Sequence, residues 1–347
     1  MVNIDNIYHR FNFMKTLIYS ERIEKILKGE MPPPVVLIMY LTNKCPANCP
    51  FCVMKEEKRL RPVEMKWVLI KKALKDARDN DVKLINFSGG GEPTSHPKFL
   101  ESIKLAKSFG LKVAVSTNGL VSLPILELIK NIDYYRLSFN CGTRETYKKL
   151  FGVDEFDSVI KRLINLISVK KSMKVKGVSD VGMAFLIVPE NYKEVYRFCA
   201  LASEIGVDFV HIRPAYLKDD KELRLILPEA FYYYEKAKED FGKKLQIFFI
   251  EEKLEECWPL RNFKKCLSTP LMAILAADGK FILCPEVFEP RFGDYYKQDF
   301  WTIWNSDEHR KVIKQIDPDR CLRCCETKIN EIIQKVFIED LMRKDLL

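Results

Sequence analysis

Thr42-Asn43-Lys44-Cys45-Pro46-Ala47-Asn48-Cys49-Pro50-Phe51-Cys52 follows directly on an apolar run at 35–41. The cysteines are spaced C-x3-C-x2-C, with an aromatic residue just before the last one. Three thiolates this close in one loop can hold three irons of a cubane cluster. No fourth cysteine follows within the loop, so the fourth iron is open to a ligand that is not protein. An open iron on a low-potential cluster is a reactive site, whereas four protein ligands usually make an electron relay. The alternative is a zinc site or three unrelated thiols. A structural zinc wants four tight ligands, usually as two C-x2-C pairs, and this loop does not supply them.

Working outward, short apolar strand candidates lie at 35–41, 83–88, 112–117, 134–139, 181–188 and 207–213. Helical patterns lie between them at 64–80, 97–109, 122–131, 155–170 and 191–205. Strands alternating with helices indicate βαβ units and a parallel sheet. Six such units fit an open or partial barrel, with a doubly wound sheet as the runner-up. The cysteine loop then sits at the carboxyl end of the first strand, where such folds place their chemistry. Upstream, residues 8–29 pattern as an amphipathic helix ended by Gly29 and Pro32-Pro33-Pro34. Beyond about residue 250 the alternation stops. Ala273 to Cys284 reads as a hairpin around Asp278-Gly279, since Asp-Gly between apolar runs is a strong turn signal. A helical segment at about 300–315, the run Cys321-Leu322-Arg323-Cys324-Cys325 and a last amphipathic helix at about 329–344 complete a small α+β unit.

The 347 residues are 47% hydrophobic and 30% charged, enough for one large domain and a smaller one. No stretch reaches the 18 apolar residues a membrane span needs, and residues 1–30 carry charges throughout, unlike a signal peptide. A cytoplasmic protein is expected. The net charge of +9 suits an anionic substrate or cofactor. The lysines are spread along amphipathic helices as solvated faces, with no basic and aromatic stripe of the kind that binds single strands, so nucleic acid is not an expected partner. Eleven cysteines in a reducing compartment argue for metal rather than disulfides. They fall into an early group (45, 49, 52) and a late one (257, 266, 284, 321, 324, 325), with only Cys141 and Cys199 between.

The early cysteine spacing with Phe51 resembles the signature of the radical S-adenosylmethionine (SAM) superfamily, whose barrel is also partial. Phe87-Ser88-Gly89-Gly90-Gly91-Glu92-Pro93-Thr94 ends the second strand. Glycines let a backbone approach a ligand closely and expose its polar groups. The run is similar to the family's GGE motif, which implies that Gly89, Gly90, Gly91 and Glu92 bind the SAM amino group, Glu92 as an acceptor. Val115-Ser116-Thr117-Asn118-Gly119 suits a strand-to-helix turn. Its likeness to the family's Thr-Asn-Gly implies that Thr117 and Asn118 line the pocket.

Arg136-Leu137-Ser138-Phe139-Asn140-Cys141 ends the fourth strand, and alternation turns Ser138 and Asn140 to the pocket. The family often has an acidic residue near Asn140, and this chain departs from that. The resemblance implies that Val188 lies against adenine, and Arg213 at a strand end is a candidate for a carboxylate of SAM or substrate. His211 reads as a surface or satisfied core histidine. Cys141 reads first as a small buried residue, since free cysteine packs as a hydrophobe. Its catalytic alternative is a hydrogen-atom donor beside the radical.

The late cysteines form C-x12-G-x4-C from Cys266 through Gly279 to Cys284, followed by Cys321-x2-Cys324. Zinc remains an alternative on spacing alone. The pattern, with Trp301 to Ser306 before the last cysteines, is similar to the twitch domain, a shortened SPASM domain. That implies one auxiliary [4Fe–4S] cluster on Cys266, Cys284, Cys321 and Cys324, with Cys257 and Cys325 as spares. The division expected is a helix and linker at 1–34, a radical SAM partial (β/α)6 barrel at 35–250 and an auxiliary-cluster domain at 251–347. The resemblance implies a SAM-binding [4Fe–4S] cluster, SAM, and a reductase, flavodoxin or ferredoxin as electron donor. It also implies a radical SAM oxidoreductase that dehydrogenates a polar small molecule such as a sugar or aminocyclitol. Alternatives are a peptide maturase, disfavoured by the mere 35 or so residues before the first strand, and an epimerase using Cys141.

Overall fold

The apolar runs do become parallel strands, and more of them than the periodicity showed. The computed structural model describes residues 13–56, 62–173, 180–215, 221–249, 263–285, 288–321, 324 and 326–339. Seven strands succeed one another: β1 (Val36–Met39), β2 (Leu84–Phe87), β3 (Lys112–Thr117), β4 (Tyr134–Ser138), β5 (Asp180–Ile187), β6 (Phe209–Pro214) and β7 (Gln246–Phe249). Each pairs in parallel with the next. The hairpin strands β8 (Met272–Leu275) and β9 (Phe281–Ile282) complete the sheet, in the order β7-β6-β5-β4-β3-β2-β1-β8-β9. Because β7 and β9 end the order, the barrel is open.

Two departures from the expected layout stand out. β8 pairs in parallel with β1, Val36 opposite Met272, so the hairpin extends the barrel sheet instead of lying in a detached unit. A helix at Lys221–Phe241, absent from the sequence reading, precedes β7. Pro228 lies inside it and breaks the pattern by which a helix is recognised.

The helices are α1 (Ser20–Leu27), α2 (Trp67–Asp79), α3 (Phe99–Ser108), α4 (Ile125–Lys130), α5 (Arg144–Phe151), α6 (Phe156–Ser172), α7 (Val195–Ile205), α8 (Lys221–Phe241), α9 (Phe300–Trp304), α10 (Asp307–Lys314) and α11 (Thr327–Ile333). The N-terminal helix is shorter than expected, a 3-10 turn at Phe13–Tyr19 leading into α1, and residues 8–12 lie outside the described residues. Among the described residues no helix is long and apolar enough to cross a membrane.

Alternation along the strands sorts the sheet's two faces. Leu37, Met39, Ile85, Phe87, Val113, Val115, Tyr135, Leu137, Val181, Met183, Val210 and Ile212 share one continuous core with the helices. The residues between them, including Asn86, Ser116, Arg136, Ser138, Gly182, Ala184, His211 and Arg213, therefore face the barrel interior. The interior face is thus lined with small and polar groups, while the apolar side chains on the other face build the stability.

The C-terminal segment is held by aromatic packing. The Trp304 indole N–H donates to Pro32 O at 2.8 Å, and the His309 ring stacks on Phe292 at 4.3 Å. His309 is 1% exposed and its Nδ1 lies 2.7 Å from Trp304 O. Burial is the largest cause of a pKa lowered to about 4. In the unfolded chain the ring takes up a proton near pH 6.5 that the folded ring refuses, so this stability is present above that pH and lost as pH falls towards 4. The amount is about 3 kcal/mol. Thermal melts of His309→Phe are expected to lose part of the drop between pH 7 and pH 5; an unchanged drop would place the acid sensitivity elsewhere.

Candidate active site

Backbone pairing fixes the cysteine loop before any side chain acts. At the end of β1, Thr42 bridges Glu64 antiparallel, Asn43 N–H donates to Val63 O at 2.9 Å and Met65 N–H to Leu41 O at 2.8 Å. Farther along, Asn48 N–H donates to Phe151 O at 2.9 Å, and Cys52 N–H to Cys49 O at 3.2 Å. Cys45, Cys49 and Cys52 are all partly exposed and free of disulfides.

The glycine loop after β2 lies directly on this segment. Gly91 N–H donates to Thr42 O at 2.7 Å and Glu92 N–H to Lys44 O at 2.8 Å. The approach is close enough that a Cβ on Gly91 would lie 2.0 Å from Lys44 O. Gly90, with φ +70°, has Thr42 O 2.9 Å from the position a Cβ would take. The two loops are therefore built as one unit, which the sequence resemblance did not reveal.

Glu92 is 3% exposed and latches that unit to β3. Its Oε1 accepts from Thr94 N–H (3.0 Å), Thr94 Oγ1 (2.6 Å) and Thr117 Oγ1 (2.6 Å), while Oε2 accepts from Asn118 N–H at 2.8 Å. Burial pushes the Glu92 carboxyl up from its usual range, and the four donors oppose that rise. Oε1 is thus committed within the protein, and only Oε2 keeps a lone pair for an ammonium. The expected acceptor is also a structural tie.

Asn118 is the consequence of that tie. Its side-chain Nδ2 donates to Cys45 Sγ at 3.6 Å, and its Oδ1 accepts from Leu120 N–H at 3.0 Å. Hydrogen bonds to ligand sulfurs raise the potential of iron–sulfur clusters. Asn118→Ala is therefore expected to shift the reduction midpoint of the reconstituted first cluster to a lower value, read by potentiometric titration. An unmoved midpoint would leave Asn118 a turn residue only.

At the β4 end the structure sorts the expected residues differently. Ser138 faces inward, as alternation required. Asn140, with φ +57° and 2% exposed, turns to structural work: its Oδ1 accepts from Leu186 N–H at 2.9 Å and its carbonyl accepts from Asn191 Nδ2 at 2.8 Å. Asn191 also receives Val188 N–H at 2.8 Å, and Val188, 1% exposed, lies in the main core. Asn140 and Val188 thus close the β4–β5 end instead of lining the chamber as expected. Cys141 is 0% exposed in the same core as Tyr147 and Leu150, and burial pushes its thiol far up. Its placement is that of a packed residue, and it is not brought to the inward-facing group. Arg213 does face inward from β6 and is partly exposed; His211 is buried beside it.

In the C-terminal group, Cys266, Cys284, Cys321 and Cys324 are partly exposed and free of disulfides, while Cys257 and Cys325 lie outside the described residues. Burial, with Cys266 alongside, pushes the Cys324 thiol up to about 12. Asn330 on α11, 0% exposed and absent from the sequence reading, organises the Cys266 turn. Its Oδ1 accepts from Leu267 N–H (2.6 Å) and Ser268 N–H (3.1 Å), and its Nδ2 lies 3.9 Å from Cys266 Sγ. No signal near residue 330 announces this contact, because its partners are more than sixty positions away. Among the described residues no three cysteine, histidine or acidic side chains converge on a point that would hold a single metal ion. A cubane asks for something else, one thiolate per iron around a hollow, and partly exposed sulfurs with amide N–H donors at Cys45 and Cys266 fit that demand.

An open parallel barrel with this loop pair at its carboxyl rim defines an α/β enzyme of iron–sulfur type. The chain belongs to the radical SAM superfamily: that family's model matches residues 39–199, and the model of an iron–sulfur cluster-binding domain, SPASM, matches residues 266–325. Membership brings SAM, a SAM-binding [4Fe–4S] cluster and an auxiliary cluster. A probable GTP 3',8-cyclase of Saccharolobus islandicus is 32% identical over 181 residues, covering 51% of this chain and 55% of the relative. The PqqA peptide cyclase of Gluconobacter oxydans is 26% identical over 183 residues, 52% of this chain and 49% of the relative. The chain thus spans about half the length of these curated relatives. Among solved structures, Streptococcus suis SuiB bound to precursor peptide SuiA superposes with a TM-score of 0.65 at 16% identity, over 89% of this chain and 73% of that one. The enzyme anSMEcpe with bound AdoMet and Kp18Cys peptide does so with 0.62 at 15% identity, over 86% and 88%.

Proposed function

We propose that this chain is a radical SAM oxidoreductase that dehydrogenates a polar small molecule held in the barrel. The observation that carries the radical half is the fused loop pair, with Gly91 against the Lys44 carbonyl and Glu92 tied to Thr117 and Asn118. In this reading Cys45, Cys49 and Cys52 hold the first cluster, and Cys266, Cys284, Cys321 and Cys324 hold the second. When bound, SAM and its cluster supply a 5′-deoxyadenosyl radical by one-electron cleavage, and the auxiliary cluster supplies an acceptor for a second electron. The protein's own contribution is positional. Asn118 donates to Cys45, the glycine loop presents backbone to the SAM amino group, and Arg213 and Ser138 offer polar contacts from the inner wall. The core on the outer face keeps bulk water away. A flavodoxin or ferredoxin would deliver the first electron.

The 32% relative acts, by its name, on GTP, which supports a small polar substrate. A peptide substrate is the second reading, favoured by the PqqA peptide cyclase relative and by the peptide-bound neighbours. The test is anaerobic incubation of reconstituted protein with SAM, dithionite and candidate sugars, aminocyclitols, nucleotides or peptides. Formation of 5′-deoxyadenosine with a substrate about two mass units lighter is expected, two hydrogens being removed in a dehydrogenation. No 5′-deoxyadenosine with any of them would sink the radical reading, and a peptide product alone would replace the first reading by the second.

A further inference from the structure

The barrel interior contains a cation with no ion pair among the described residues. Arg136 projects inward from the middle of β4, and its Nε is buried with no hydrogen-bond partner. No salt bridge to it is found among the described residues. Arg136 is partly buried, and burying even part of an unpaired guanidinium is costly. Such a group is retained where a ligand completes it.

Its surroundings are shaped for one. Across from Arg136 on β5 stands Gly182, with Ala184 one inward position higher. Ala184 keeps the inner face of β5 low, while the space over Gly182 is taken by an aromatic side chain from β6: Tyr134 and Phe209 stack at 5.3 Å, and the Phe209 ring covers Gly182 so closely that a Cβ there would lie 2.3 Å from it. Arg213 faces inward from β6, opposite Leu186, and its charge is near enough to help lower the Arg136 pKa, after burial as the main cause and against an opposing effect of Tyr134. Two guanidiniums of like charge facing the same interior suit an anion between them. On β2, Asn86 Oδ1 is also buried and unpartnered on the inward face, ready to accept from a hydroxyl or N–H of the same ligand.

We infer that Arg136 and Arg213 clamp an anionic oxygen group, a carboxylate or a phosphate, of the substrate in the barrel interior. This rests on the reading that the barrel is the substrate chamber. The planar five-donor fork of arginine matches either group. Arg136 lies in the middle of β4, below the cysteine and glycine loops assigned to SAM, and Arg213 reaches towards it from the carboxyl end of β6.

The test uses reconstituted holoenzyme saturated with SAM, so that the SAM carboxylate is already placed. Thermal melts and calorimetry are run with inorganic phosphate and, separately, with glutarate. At least one anion is expected to bind and stabilise the wild type, and the tighter one identifies the group. Arg136→Met is expected to weaken that binding at least tenfold, while its own melting temperature without anion equals or exceeds that of the wild type, because a partly buried unpaired charge has been removed. A structural arginine would give the opposite, a lower melting temperature. Should Arg136→Met not fold, Arg136→Lys decides: it keeps the charge but loses the fork, and a tenfold loss is again expected. Absence of anion binding in the wild type, binding that survives these variants, or a destabilised Arg136→Met with Arg136→Lys binding like the wild type would overturn the inference. Formation of 5′-deoxyadenosine by the wild type is measured alongside; its absence would sink the radical reading without touching the anion site.

Discussion

Gly91→Ala is expected to abolish iron binding at Cys45, Cys49 and Cys52 while leaving the C-terminal group loaded. A Cβ at this position would stand 2.0 Å from Lys44 O and 2.6 Å from both Asn43 C and Lys44 C. These are backbone atoms, so no rotamer relieves the overlap. The Thr42–Lys44 segment has to move away, and the bonds from Gly91 N–H to Thr42 O and from Glu92 N–H to Lys44 O break with it. Each is worth about 1 kcal/mol before the strain is counted. Iron per chain after anaerobic reconstitution should fall by about half, and SAM cleavage should vanish, since one of two equal clusters is lost. Gly110→Ala is the matched control. Its φ of +77° makes alanine strained, but nothing lies within 4 Å of the new Cβ. It should cost only about 1–2 kcal/mol and keep its iron. Full iron in Gly91→Ala would show that the two loops are not one unit.

What could be read from the chain followed range in sequence. Strands β1 to β6 and the helices between them, α5 (Arg144–Phe151) excepted, announce themselves through local periodicity, as does the Asp278-Gly279 hairpin, where Gly279 takes φ +83°. The three early cysteines and the glycine run are equally local. What escaped depends on distant partners or on a broken period. Pro228 interrupts the pattern of the helix before β7. The pairing of β8 with β1 joins residues more than two hundred positions apart. Asn140 looked like a pocket residue because alternation continues through it, but its φ of +57° takes it out of the strand's rhythm. Arg136 was legible in principle. A charge in mid-strand, two positions before Ser138, had to face the interior once Tyr135 and Leu137 were given to the core. Its isolation was not legible, because that depends on what three other strands fail to provide.

Glu92→Gln separates the two roles that one carboxylate is asked to fill. If Glu92 served only as the acceptor for the SAM ammonium, the amide would weaken SAM binding and leave the SAM-free protein as stable as before. The structure demands more. Oε1 takes three donors and Oε2 takes Asn118 N–H, all buried. In one amide orientation the new NH2 confronts Asn118 N–H; in the other it confronts Thr94 N–H. Threonine hydroxyls can rotate to accept, but a backbone N–H cannot. Either way one buried donor is orphaned, at roughly 1–3 kcal/mol. The melting temperature of the SAM-free protein should therefore drop by about 1–4 °C, since a chain of 347 residues loses roughly 1–1.5 °C per kcal/mol. Release of the Asn118 turn should also withdraw its Nδ2 from Cys45. The first cluster's potential should accordingly move in the direction expected for Asn118→Ala, and SAM affinity should fall as well. Melts without SAM, a potentiometric titration and SAM calorimetry on one preparation decide the matter. A loss confined to SAM affinity would return Glu92 to the single role that the sequence suggested.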